Sequence, residues 1–256
     1  VKATVEQKEE NEDVSLKSAK EQLCRSFMQG NFFDLAGQMD KKSFHIVNHD
    51  IDYPIDIEEN SEQHKKLSKD LKSGDYNRLS KKDYKKLLPE SFALSHDLLQ
   101  KDGWIIVWFG FEYYDFIIKQ LKKVGFTTGH TLGYWYKGMG NTQSIKTQLR
   151  NEIEPFIYAR KGTPQLIKPG TGNVFLQNPK PKDKTHPYEK PVALMQAILD
   201  AFTGIEGQLL LDCFAGSGHA LLAANNLQMS GVGIDLSQRY KDEFELKVLS
   251  GEYGKY

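Results

Sequence analysis

One stretch constrains the fold more than any other. Leu209–Leu211 and the residues just after form a short apolar run that suits a buried strand. Phe214-Ala-Gly-Ser-Gly218 is a glycine turn directly behind it, and His219–Leu227 follows with helical spacing of Ala and Leu. Gly231–Ile234 reads as a second short strand, with Asp235 at its end. Strand, Gly-x-Gly turn, helix, strand and acidic residue make a nucleotide-type βαβ unit. Asp235 stands roughly twenty residues past the first glycine, where an acidic side chain reaches ribose hydroxyls. A lone Gly-x-Gly turn also fits an ordinary dinucleotide-binding fold, so the flanking residues decide.

Those residues are Asp212 ahead of the turn and the upstream run His186-Pro-Tyr-Glu-Lys-Pro191. Asp212 with Phe214-Ala-Gly-Ser-Gly218 resembles the cofactor loop of amino-directed DNA methyltransferases. His186–Pro191 resembles the segment that precedes this loop in the β group of that family. The resemblance implies an α/β, Rossmann-like, S-adenosylmethionine-dependent methyltransferase fold. Its sheet would be mixed but mostly parallel, with helices on both faces and the motifs in permuted order. It further implies that Asp212, Phe214, Gly216, Ser217, Gly218 and Asp235 bind the adenosine end of S-adenosylmethionine. His186, Lys190 and Pro191 would border its methionine end.

The family places a tetrapeptide close to Asp-Pro-Pro-Tyr at the end of an upstream strand. Here Ser43–Asn48 reads as that strand, and the best register sets Asp50 on the acid and Tyr53 on the aromatic. Ile51 and Asp52 fall where the prolines belong. The chemistry explains the pattern. The lone pair of an exocyclic amine is delocalised into the base, so two fixed acceptors must orient its hydrogens. In the family these are the acid's side chain and the next residue's carbonyl, while the aromatic stacks on a base turned out of the duplex. No covalent nucleophile is needed, and neither Cys24 nor Cys213 is a candidate. Proline would have fixed φ at position 51. Asp52 adds a negative charge that either favours the cofactor or raises the pKa of Asp50 by like-charge repulsion. The resemblance implies methylation of adenine N6 in preference to cytosine N4. The alternatives are a non-catalytic methyltransferase-like subunit and a methyltransferase acting on RNA.

Trp135-Tyr-Lys-Gly138 and Glu154-Pro-Phe-Ile-Tyr-Ala-Arg-Lys-Gly162 extend the resemblance over most of Gly30 to Tyr240. Trp135 and Tyr136 read equally as core aromatics or base-stacking residues. Residues 163–185 stand where the group carries its target-recognition region, which is short here. The domain reading is a charged, helical extension over 1–29 and a methyltransferase domain over 30–256. Leu16, Leu23, Phe27 and Met28 are expected on one amphipathic helix of the extension. Ser80 caps a helix through Leu99 that Pro89 should kink or split. Glu58–Asn77 is polar and expected to be partly helical. Pro191 should open a helix to Phe202 in its first turn.

The chain has 256 residues, 39% hydrophobic, enough for one large α/β domain. Two cysteines build no disulfide framework, which suits a reducing cytoplasm, bacterial or of a phage-infected host. No apolar run has membrane-spanning length, no signal peptide is visible, and no metal site is expected. The chain opens at Val1 rather than methionine, which fits a piece of a longer protein. Its 34 basic and 34 acidic residues cancel, so DNA must be met by local patches. Lys180, Lys182 and Lys184, in a Pro/Lys-rich loop before the cofactor segment, are the strongest candidate. A homodimer or a separate specificity subunit would supply the recognition that a short insert lacks.

Overall fold

The computed structural model describes residues 15–54, 79–141, 146–147, 149–178 and 189–251. Within them lies a nine-stranded sheet. Its strands are β1 (Phe27–Gln29), β2 (Phe44–His49), β3 (Leu99–Trp108), β4 (Thr127–Thr128), β5 (Gly133–Asn141), β6 (Asn151–Lys161), β7 (Val174–Leu176), β8 (Leu209–Asp212) and β9 (Ser230–Asp235). The spatial order is β1-β9-β8-β2-β3-β6-β5-β7, with β4 also paired to β6. From β1 through β3 every pairing is parallel, whereas β6 runs antiparallel to β3, β4 and β5.

The helices are α1 (helical over 15–25), α2 (Phe32–Ala36), α3 (Lys81–Leu98), α4 (Tyr114–Val124), α5 (Val192–Phe202), α6 (His219–Asn226) and α7 (Gln238–Ser250). They cover both faces. Strand β3 shows why: its side chains alternate in direction, so its unbroken apolar run feeds two cores. Trp104, Ile106 and Trp108 pack with Ile46, Leu210 and the apolar sides of α5, α6 and α7. Ile105, Val107 and Phe109 pack with Val47, Leu211 and residues of α2, α3 and α4. The mixed, mostly parallel sheet and two-sided helices match the expected fold class.

The order of crossovers locates the cleft. From β2 the chain crosses by α3 to β3, on one side; from β8 it crosses by α6 to β9, on the other. Strands β2 and β8 are neighbours, pairing Ile46 with Leu210 and Asn48 with Asp212. Their shared carboxyl end is therefore a topological switch point, where α/β sheets open a crevice. The segment after β2 begins at Asp50, and the segment after β8 is the glycine turn.

Several elements differ from the sequence reading. Phe27 and Met28 leave the N-terminal helix and stand on β1, which pairs with β9 in the register Gln29 to Asp235. The extension over 1–29 thus contributes an edge strand to the sheet. Helix α3 runs through Pro89 without a split. Leu88, Ser91 and Phe92 around it are fully buried, and that packing outweighs the lost hydrogen bond. Its Ser80 cap is as expected, accepting from the Asp83 N–H at 3.1 Å. Pro191 is the N-cap of α5 rather than part of its first turn. The region after residue 163, where the target-recognition region is expected, contains β7, parallel to β5. Residues 1–14 of the expected extension and the segment 58–77 lie outside the described residues. Among the described residues no helix is long and apolar enough to cross a membrane.

Candidate active site

Strand β2 ends in Asn48-His49 and Asp50 follows it, and each of the three side chains has a separate partner. Trp108 Nε1 donates to Asn48 Oδ1 at 3.1 Å, so the amide's other end must point away. Asn48 Nδ2 duly donates to Asp212 Oδ1 at 2.8 Å. His49 is buried against Phe92 and Phe214 and shares a 2.8 Å hydrogen bond with Ser91 Oγ. Burial pushes its pKa down to about 3, so it is neutral.

Asp50 meets Lys190, which comes from the turn before α5. Lys190 Nζ lies 2.6 Å from Asp50 Oδ2 and 3.1 Å from Glu154 Oε1 on β6. It also stands 4.5 Å above the centre of the Trp108 ring. Lys137 on β5 reaches the other oxygen of Glu154 at 3.3 Å. Lys190 is almost closed off, but Asp50 keeps 26% of its side-chain surface accessible, enough for a small polar group to reach it. Desolvation raises the Asp50 pKa against the pull of Lys190, and the like charge opposing its ionisation is Glu154. Between its two lysines Glu154 is held below the ordinary carboxylate range despite burial.

The rest of the tetrapeptide is anchored differently from a proline pair. Ile51 is 6% exposed and packs into the core with Phe32 and Val47. A buried side chain restrains the loop where a ring would have done so. Burial raises the pKa of Tyr240 on α7, and the charges of Asp235 and, less strongly, Asp52 add to the rise, so Asp52 bears on the glycine-turn side of the cleft. Tyr53 is half-buried, with Cδ2 and Cε2 only 3.0 Å from where a Gly110 side chain would begin. Gly110 therefore makes room for that ring. Trp135 is a core aromatic, 3% exposed, with its indole N–H on the Gln177 carbonyl at 2.7 Å. Tyr136 is half-buried, its hydroxyl on Glu152 at 3.3 Å.

Across the switch point, Asp235 is fixed by backbone donors. Gly216 N donates to Oδ2 at 2.8 Å and Ser237 N to Oδ1 at 2.9 Å. Burial still raises its pKa, against these bonds. On the other edge of β9, Gly30 N donates to the Asp235 carbonyl at 2.8 Å, so β1 steadies the acid from behind. Gly216 has φ +50° and a side chain there would meet nothing within 4 Å. Gly218, with φ +73°, backs onto Phe244. Ser217 is buried, and the half-buried Phe214 ring lies 5.5 Å from Phe32 and 5.0 Å from His49. Open space at Gly216, beside a carboxylate with fixed oxygens, is a cradle suited to a sugar and its base.

His219 clasps the halves together and was not singled out by sequence. The Lys190 carbonyl can only accept, so His219 Nδ1 must donate to it, at 2.9 Å. Nε2 then accepts from Lys247 Nζ at 3.1 Å, which requires the neutral ring; burial lowers its pKa accordingly. Glu154, Trp108, Lys137 and Asn48 were likewise not named as site residues. A glutamate opening the apolar run Pro155-Phe156-Ile157 was the available signal, because a buried charge demands a partner. The structure places Asp50, Ile51, Asp52 and Tyr53 after β2, Lys190 and Pro191 before α5, and Asp212, Phe214, Gly216, Ser217, Gly218 and Asp235 at the ends of β8 and β9, with Lys190 on Asp50 and Gly216 on Asp235. Lys180, Lys182, Lys184 and His186 lie outside the described residues. Among the described residues no group of three or more His, Cys, Asp or Glu could hold a metal ion.

Asp212 gives a pH test of this geometry. Burial pushes its pKa up to about 7 from an ordinary 3.8, with the charges of Asp50 and Asp235 adding to the rise and Asn48 opposing it. Between those values the folded chain holds a proton that the unfolded chain releases. Stability from this group is therefore lost as pH rises through the window. Asp212→Asn should gain on the parent by a few kcal/mol, on the order of the shift, between pH 4 and pH 8. Denaturant melts at both pH values read this; an equal difference at the two would show that Asp212 is ionised throughout.

The chain matches known proteins in sequence and in fold. A family model described as DNA methylase, N6_N4_Mtase, matches residues 45–246. The type II methyltransferase M.HpaI of Haemophilus parainfluenzae is 26% identical over 196 residues, 68% of this chain and 62% of that protein. The chain thus spans less than two thirds of that relative. In fold it is similar to M1.HpyAVI crystallised with SAM, with TM-score 0.63 at 20% identity over 87% of this chain and 98% of that one. It is equally similar to PvuII DNA methyltransferase, cytosine-N4-specific, with TM-score 0.63 at 16% identity over 90% and 91%.

Proposed function

Because this chain belongs to the N6_N4_Mtase family of DNA methylases, we propose that it transfers a methyl group from S-adenosylmethionine to an exocyclic amine of a DNA base, adenine N6 in preference to cytosine N4. The observation that carries this reading is the reachable Asp50 carboxylate, one strand away from the glycine turn at the switch point. Asp50 accepts one hydrogen of the amine and the Ile51 carbonyl the other. The lone pair is thereby turned out of conjugation. Tyr53, backed by Gly110, stacks on the flipped base. Fixed acceptors matter because the reaction is an in-line displacement, in which position supplies much of the rate. Asp235, Asp212, Phe214, Gly216, Ser217 and Gly218 would hold the adenosine end of the cofactor, and His186 and Pro191 would border the methionine end, next to Lys190, whose ammonium is engaged by Asp50 and Glu154. The cofactor supplies a methyl group activated by a positive sulfur.

DNA is the proposed partner. Lys180, Lys182 and Lys184 would meet its phosphates in a sequence-independent way. Recognition is completed by a second copy or a separate subunit. The setting is the cytoplasm.

The test is incubation with methyl-labelled S-adenosylmethionine and mixed-sequence DNA, followed by nucleoside analysis. The expected product is N6-methyladenine. Labelled N4-methylcytosine would keep the reaction and change the base. No label on DNA, with cofactor and DNA still bound, would make the chain a non-catalytic subunit, and label on RNA alone would move its substrate.

A further inference from the structure

Sequence resemblance assigned Lys190 to the cofactor, but its ammonium is committed elsewhere. Three fixed groups surround it: Asp50 Oδ2 at 2.6 Å, Glu154 Oε1 at 3.1 Å and the Trp108 ring at 4.5 Å. Glu154 is itself anchored by Lys137. Trp108 is anchored through its indole N–H on Asn48. Lys190 is 6% exposed at its side chain, while Asp50 is open at 26%. We propose that Lys190 is the positioning residue of this site: it engages one carboxylate oxygen of Asp50 from the closed side and leaves the other to accept the substrate amine. The inference rests on Asp50 being that acceptor.

A nitrogen that attacks a methyl group becomes positive, so an anionic oxygen must face it. Lys190 is shared between Asp50 and Glu154, and Lys137 answers Glu154 from its other side. Asp50 therefore keeps its charge beside the ammonium, and the oxygen that Lys190 does not engage is the one left for the amine. A lysine held in this way does two things. It stops the carboxylate from rotating, since one oxygen is already bonded. It also keeps the acid ionised where burial and Glu154 oppose ionisation. The other titratable groups whose charges bear on this cluster are Lys137 on β5, Asp212 on β8 and Tyr84 on α3.

The test uses the intact chain with Lys190→Met and Lys190→Arg. Infrared titration, with Asp50→Asn subtracted, follows protonation of Asp50 and needs no turnover. Single-turnover transfer to mixed-sequence DNA is measured across pH. Losing the ammonium disfavours the ionised acid, so protonation in Lys190→Met should begin about one pH unit or more higher. The acidic limb of transfer should move with it, and the rate at neutral pH should fall at least about tenfold because the acceptor is no longer fixed. Lys190→Arg should return the limb towards the parent. Should Lys190→Met fail to fold with Asp50 unpaired beside Glu154, the charge-balanced Lys190→Met with Glu154→Gln is measured in its place, with the same rate loss expected. An unmoved band and limb with a parental rate overturns the proposal alone if Asp50→Ala is inactive. Normal turnover by Asp50→Ala overturns it together with the acceptor assignment.

Discussion

Asp50→Ala should lower methyl transfer by roughly 10²–10³-fold or more, the cost of removing one aligned group that stabilises developing charge. Three other acids near the switch point are already engaged. Asp212 is spent on Asn48 and 2% exposed, and Asp235 is spent on the backbone of Gly216 and Ser237. Glu154 lies between two lysines. The fold should survive, because Lys190 keeps Glu154 and the Trp108 ring when Asp50 is gone. Cofactor affinity, read by calorimetry, should change little, since the cradle lies on the β8–β9 side of the switch point. Asp50→Asn should fall between the two: it keeps an acceptor oxygen but loses the charge. Normal single-turnover rates from Asp50→Ala, in protein that melts like the parent, would place the acceptor elsewhere.

The part of the site visible in sequence is the part made by neighbours in the chain. The Asp212–Gly218 turn, the helix behind it and Asp235 lie within one βαβ unit, so local spacing carries them. Asp50 was legible through its order relative to that unit. Its counterion was not, because Lys190 lies 140 residues away and no periodicity records such a pair. Strand β1 was hidden for a similar reason. Its three residues are too few to show alternation, and their strand character comes from pairing with β9 about two hundred residues later. Ile51 illustrates a third limit. As a departure from proline it suggested a loosened loop, whereas its burial supplies the restraint. Asp52 suggested repulsion of Asp50, but the anion that opposes Asp50 is Glu154, from a different strand.

The two glycines of the turn should separate binding from folding. Both sit in the left-handed region, Gly216 at φ +50° and Gly218 at +73°, so any side chain costs roughly 1–2 kcal/mol of strain at either. What lies beyond the Cα differs. A side chain at 216 enters empty space, whereas a Cβ at 218 would stand 2.4 Å from Phe244 Cδ2. Phe244 cannot retreat easily, being fully buried with its ring 5.2 Å from that of Phe27. Gly218→Ala should therefore lose stability by about 3 kcal/mol or more, strain and overpacking together. Gly216→Leu should lose little beyond the strain, because a Cβ there meets no atom within 4 Å. Its cost falls on the ligand: the side chain fills the cradle beside Asp235, and affinity for S-adenosylmethionine should drop at least about a hundredfold, near 2.7 kcal/mol. Calorimetric titration of folded Gly216→Leu, with a denaturant melt of each variant, reads both effects. Parental affinity in Gly216→Leu would mean that the open space by Asp235 is not where the adenosine end sits, and the cofactor cradle would have to be sought along another edge of the cleft.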